Sequence, residues 1–277
     1  MKNLVFLKLG GSLITEKSRP QTPRQDMLKR LAQEIADALQ ERPAMHLLVG
    51  HGSGSFGHVS ARRYGTRQGV CTPEQWQGFS VVWRDAQALN RLVVDAFSAV
   101  GLAVISLPPA ASVTASDGEV AAWDLTPLRS ALQAGLLPLV FGDVVFDTVR
   151  GGTILSTEDL FTHLARQLNP DRILLAGIEA GVWADFPERR NLVPEITPET
   201  YAVWTERLAG STAVDVTGGM ASKVSQSLEL VKGLVCGWRF FLVRCPAISV
   251  GLLRENRLAR KFIQTHNRVN CAAFHLQ

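Results

Sequence analysis

Apolar and polar positions along the chain change period repeatedly, from short unbroken apolar runs to segments with helical spacing and back. Leu4 to Leu9 is a compact apolar run that predicts a buried strand, and Met27 to Leu39 repeats apolar residues at helical spacing. Leu47 to Gly50 predicts the second strand, Pro73 to Val100 a long helix, and Ala103 to Leu107 a third strand. The segment SVTASDGE is turn-rich, Leu125 to Ala134 reads as a helix, and LLPLVFGDVVF as strand, turn and strand. Thr157 can start a helix by capping the amides of Asp159 or Leu160. Arg172 to Ala176 and Val182 to Ala184 are expected as strands around a glycine-bearing turn, and two further helices flank TGGMASK. Alternating β and α units predict an α/β fold, with a mainly parallel sheet covered on both faces.

With 277 residues, 46% of them hydrophobic, the chain can build a large core as one domain or two lobes. No repeat or long linker interrupts it, so any lobe boundary near Asn169 and Pro170 is short. Net charge is a mild +4 without a block of like charges, which argues for an anionic small ligand or a scattered surplus, not a nucleic-acid partner. Cys71, Cys236, Cys245 and Cys271 have neither metal-ligand spacing nor disulfide-scaffold density. The apolar run before Lys8 is too short for a signal peptide, and no uninterrupted span has membrane length. The expectation is a soluble, cytoplasmic protein with no membrane partner.

Three glycine turns carry the candidate chemistry. In LLVGHGSGSFGH a strand runs into Gly52, Gly54 and Gly57, and His58 can donate to the anion that the turn's amides would gather. The same glycines spell a dinucleotide fingerprint, but no second strand ending in an acidic residue follows at the required distance. In KLGGSLITEK, Gly10, Gly11 and Ser12 would place free amides against phosphate. Lys8, within an apolar strand, is costly to bury unless its charge meets an anion. In VTGGMASK, Lys223 falls one turn into a helix, where its ammonium can fold back to a phosphate. Each turn alone also fits an ordinary turn and cap, and Lys17 alone fits a solvated lysine. The P-loop pattern is absent.

KLGGSLITEK, HGSGSFGH, FGDVVFD, ILSTEDLF and DVTGGMASK, in this order, resemble the amino acid kinase superfamily, and within it the isopentenyl phosphate kinases. The likeness runs from Lys8 to about Lys232. It implies an open three-layer αβα sandwich, one amino acid kinase domain over 1–277, with acceptor in an N-lobe (1–169) and ATP in a C-lobe (170–277). The implied reaction moves the γ-phosphoryl group of ATP, with its Mg²⁺, onto isopentenyl phosphate or a related prenyl monophosphate. By motif position, Lys8 would hold the transferring group, Lys17 would stabilise it, Lys223 would contact the ATP phosphates and His58 the acceptor phosphate. Gly10, Gly11, Ser12, Gly54, Gly218 and Gly219 would supply close backbone approach to ATP, with Gly177 and Glu179 beside the nucleotide. Ser53, Gly54, Gly142 and Asp143 would border the acceptor, although Asp143 also fits a turn aspartate. Helical spacing places Phe79, Val82 and Trp83 as candidates to line an apolar tail, among neighbours that are ordinary core.

The sequence departs from the family pattern at Ser53, in place of a glycine, and in AGIEAGVWAD and FIQTHN. The tail from Arg268 is expected as a poorly ordered end or an oligomer contact, and the resemblance implies a homodimer. Alternatives are another small phosphate, phosphonate or carboxylate acceptor, or a non-catalytic nucleotide sensor.

Overall fold

The computed structural model describes residues 2–178, 182–185, 188–191, 193, 195–196, 239–244 and 268–270. Strands β1 (Leu4–Leu9), β2 (His46–His51), β3 (Val104–Ser106), β6 (Leu137–Phe141) and β9 (Arg172–Gly177) join β10 (Glu195–Ile196), β11 (Arg239–Arg244) and β12 (Arg268–Asn270) in one sheet. The order is β10-β12-β11-β9-β1-β2-β6-β3, parallel except where β10 meets β12. A second sheet, ordered β5-β4-β7-β8, contains β4 (Val113–Ser116), β5 (Glu119–Trp123), β7 (Asp143–Asp147) and β8 (Gly151–Leu155).

Period-two alternation along β1 sorts its side chains between two layers of helices. Val5, Leu7 and Leu9 pack with α2 (Gln25–Glu41) and α4 (Pro73–Ala99), through Leu31, Ile35, Leu89 and Val93. Leu4 and Phe6 pack on the other face with α5 (Thr126–Gln133) and α6 (Thr157–Leu168), through Leu128, Phe161 and Leu164. The result is the expected αβα sandwich. Gly50 allows α6 to lie close, since a Cβ there would come within 2.6 Å of Phe161 and Thr157 side-chain atoms.

Several local expectations are corrected. The turn-rich SVTASDGE supplies β4 and β5, a hairpin whose turn is held by Asp147, which accepts from the Asp117 and Gly118 amides at 3.0 and 2.7 Å. In LLPLVFGDVVF the two strands enter different sheets, β6 the parallel one and β7 the other. Val182 to Ala184 contributes a single bridging residue, Trp183, instead of a strand. Ser156, not Thr157, caps α6 in a reciprocal box with Asp159. Thr157 is freed to donate its hydroxyl to the His51 carbonyl at 2.6 Å. After β2, α3 (Gly54–Tyr64) runs through Arg62 and Arg63 to a left-handed cap at Gly65.

The turns after β1 and β2 touch backbone to backbone. A Cβ on Gly11 would lie 2.4 Å from the Gly54 nitrogen, and one on Gly54 would lie 2.1 Å from Thr15 Oγ1. Gly54 also has φ +52°, where a side chain is strained. Thr15 clasps the two turns, donating to the Gly11 carbonyl at 2.8 Å and accepting from the Ser55 amide at 2.9 Å. Gly54→Ala is therefore expected to cost roughly 3 kcal/mol of stability, from left-handed strain plus overpacking. Denaturant unfolding checks this; an unchanged midpoint would show that the interlock is slack.

Candidate functional site

The carboxyl ends of four parallel strands lie in one row. Register aligns Leu9 of β1 with His51 of β2 and Ala176 of β9, and His51 with Phe141 of β6. Each is followed by a glycine: Gly10, Gly52, Gly142 and Gly177. From β1 the sheet extends through β2 on one side and β9 on the other, so this row crosses the point where an open α/β sheet forms a ligand crevice. The Gly10 amide donates to Ala176 O at 2.8 Å, that of Gly52 to Leu9 O at 3.0 Å and that of Gly142 to His51 O at 3.3 Å, which stitches the four strand ends together.

Lys8 continues the Leu4–Phe6 row onto the α6 face, where its ammonium forms an ion pair with Glu158 at 2.5 Å, the lysine side chain being 9% exposed. Burial of this cation is thus compensated by a carboxylate in the first turn of α6. Glu158 was not singled out from the sequence, because acidic residues in a first helical turn are common wherever the helix dipole favours them. Its neighbour Asp159 completes the cap and pairs with Arg67 at 3.2 Å. At the start of α3, by contrast, no acidic residue lies in the first turn and Ser53 makes no side-chain cap, the Ser55 amide being taken instead by Thr15 Oγ1 at 2.9 Å. That end of the helix, facing the Gly11 turn, favours an anion.

The other sequence candidates fall as follows. Ser12 lies in α1 (Gly11–Ile14), a single turn, and is half-buried. Ser53 precedes α3, with its side chain over Gly57, whose Cβ would sit 3.0 Å from the Ser53 Cβ. His58 lies in the second turn of α3 and is exposed. Lys17 is exposed on the loop between α1 and α2. Phe79 and Val82 are buried with Val70 and Val144, and Ala61, one helical turn beyond His58, packs against this cluster. Trp83 is 43% exposed. Phe146, not anticipated, is 56% exposed and joins Trp76 and Phe79 in an aromatic group with centroids 5.2 to 6.0 Å apart. Glu179, Gly218, Gly219, Lys223 and most of the tail lie outside the described residues.

Two buried ionisable groups flank the row. His51, on the α4 face, stacks on Phe141 and places its ring nitrogens 3.2 Å from Gly52 O and 3.4 Å from Asn90 Oδ1. Burial pushes its pKa down to about 4, so the ring is neutral. Asp143 is buried and pushed up to about 7 by desolvation, against hydrogen bonds from the Val144 and Ala110 amides and from Gln87. Asp143 therefore ties β7 to its own surroundings.

The family model of the amino acid kinase family matches residues 3–239. The chain belongs to this family. Among curated members it is 33% identical over 236 residues to isopentenyl phosphate kinase of Methanothermobacter thermautotrophicus, covering 83% of this chain and 87% of that protein. It is 34% identical over 229 residues to the isopentenyl phosphate kinase of Haloferax volcanii, covering 82% and 88%. An X-ray structure of an isopentenyl phosphate kinase superposes with a TM-score of 0.74 at 28% identity, covering 96% of this chain and 98% of that one. The product complex of the T. acidophilum isopentenyl phosphate kinase gives 0.71 at 25% identity, covering 97% and 99%.

The two buried groups make opposite demands on pH. Asp143 binds its proton more tightly folded than unfolded, so the native state loses stability as pH rises from 3.8 through about 7. His51 loses stability as pH falls from 6.5 towards 4. Asp143→Asn removes the first slope while Gln87 can turn its amide to keep the contact. The variant's melting temperature relative to wild type is expected to rise between pH 5 and pH 8 by roughly 5 °C. A constant difference across that range would show that Asp143 ionises normally.

Proposed function

We propose that this protein is an isopentenyl phosphate kinase, transferring the γ-phosphoryl group of ATP to isopentenyl phosphate to give isopentenyl diphosphate and ADP. The observation that carries the reading is the row of glycine turns at the strand ends, with Lys8 buried beside it. Similarity to isopentenyl phosphate kinases over most of the chain supports the choice of acceptor.

The attacking atom is a phosphate oxygen that is already anionic near neutral pH, so the reaction needs no general base. What it needs is to bring two polyanions together, by positioning and by electrostatic stabilisation. Lys8, fixed by Glu158, neutralises the transferring group, and Lys17, in the loop that follows α1, stabilises it from the ATP side. Lys223, with Gly218 and Gly219, is assigned to the ATP phosphates by motif. The start of α3 receives the acceptor phosphate, and His58 donates to it; a neighbouring dianion favours the charged imidazole. The acceptor's apolar tail runs along Ala61 towards the Phe79 and Val82 cluster. Mg²⁺ enters with the nucleotide and is part of the substrate. Among the described residues no group of three or more histidine, cysteine, aspartate or glutamate side chains could hold a metal ion. No described helix is long and apolar enough to cross a membrane.

ADP release measured across prenyl, other phosphate, phosphonate and carboxylate acceptors tests the assignment; a clear preference outside prenyl phosphates would overturn it. In that assay His58→Ala is expected to raise KM for isopentenyl phosphate by roughly tenfold or more, through loss of a charge-assisted bond, with KM for ATP little changed. Equal loss for both substrates would remove His58 from the acceptor side. Glu158→Gln takes a negative charge from beside the ATP phosphates but frees Lys8 to wander. Its kcat should fall about tenfold while KM for ATP holds or drops; an unchanged kcat would show that Lys8 needs no such tether.

A further inference from the structure

The face that α4 turns inward is apolar through Val82, Ala86 and Leu89, yet Asp85 is set among them and is only 7% exposed. A buried carboxylate costs stability unless it is well bonded, and packing alone gives no reason for one here. Its two oxygens are divided between two parts of the site. Oδ2 accepts from Ser60 Oγ at 2.7 Å, on the buried side of α3 two residues beyond His58. Oδ1 accepts from Gln21 Nε2 at 2.9 Å, in the loop that carries Lys17.

Independent backbone geometry marks the same place. Gln21 has φ +49°, a left-handed conformation that a non-glycine residue holds only when its surroundings enforce it. The enforcement is visible: Gln21 N donates to Ser55 O at 3.1 Å and Thr22 N to Ser55 Oγ at 3.2 Å, both on the first turn of α3. The loop is closed at its base by the bridge between Thr15 and Pro23 and by Glu16 N donating to Thr22 O at 2.9 Å. Its exposed tip holds Lys17, Ser18, Arg19 and Pro20.

We propose that Asp85 is a positioning residue that couples the acceptor-phosphate helix α3 to the Lys17 loop, so that occupancy at α3 fixes the loop over the group being transferred. The identity of the transferred group rests on the function proposed above, but the mechanical coupling does not. Asp85 touches no substrate. It lends one carboxylate to both sides, so a shift of Ser60 with α3 is felt at Gln21. Binding at one end and order at the other are then linked, and the linkage is reciprocal.

The test uses the full chain and the exposed Gln21, whose replacement leaves the core intact. Gln21→Ala is expected to lower kcat about tenfold, with acceptor KM changed less than about twofold and melting temperature within about 2 °C of wild type. Gln21→Lys, which restores a donor to Asp85, should recover most of that loss. In parallel, amide hydrogen exchange across residues 16–22 is followed with and without inorganic phosphate and isopentenyl phosphate. Either ligand should slow exchange in wild type and fail to do so in Gln21→Ala and Ser60→Ala. Ligand protection that persists in both variants, protection absent from wild type, or activity loss that only tracks melting temperature would each overturn the coupling. If protection follows the expected pattern while no prenyl phosphate is turned over, the coupling stands and the proposed acceptor is wrong.

Discussion

The contact on which the site depends is made without side chains. The turns that leave β1 and β2 are pressed together so closely at Gly11 and Gly54 that one added carbon on either would enter its neighbour's backbone. This closeness brings the start of α3 against the turn following Lys8. It also leaves the Thr15 hydroxyl to answer both turns, accepting from Ser55 and donating to Gly11. The glycines read as providing room for a ligand therefore first provide room for each other. The helix so placed has no acidic residue in its first turn and no side-chain cap from Ser53, which favours an anion at that end.

Alternation within a strand then assigns the charges. Because Lys8 follows Leu4 and Phe6 on one face, it reaches α6 and Glu158, while His51 follows Leu47 and Val49 onto the opposite face and reaches Asn90 on α4. The cation beside the crevice and the neutral imidazole beneath it are separated by the sheet. Lys8 keeps a carboxylate partner, whereas His51, with only neutral acceptors close by, is held unprotonated.

Much of this was legible in the sequence, and what escaped has physical reasons. The long elements announced themselves: α2 and α4 by helical spacing, β1, β2, β6 and β9 by compact apolar runs ending in glycine. The β4–β5 hairpin did not, because Val113, Ala115 and Val120 are few among small polar residues and tertiary pairing, not propensity, makes them strands. The start of α3 was hidden by its glycines, which suggest a turn but here are helical from Gly54 onward. Lys8 and the glycine turns were found by motif and by the cost of burying a cation. Glu158 and Asp85 were not, since an acid near a helix start or on a long helix ordinarily faces water, and only folding shows what it faces instead. The Thr157 expectation failed by one position, because Ser156 already had the extended backbone that a cap requires.

The join between β6 and β7 has its own consequence. A single residue, Gly142, carries the chain out of the large sheet and into the small mixed one, and from there the chain returns to the first layer through α6. Insertions or deletions in the tips of the small sheet would therefore leave the registers of β1, β2 and β9 undisturbed. The apolar wall bordering α4 can be remodelled by evolution or by design as a separable part, while the machinery for handling phosphate keeps its dimensions.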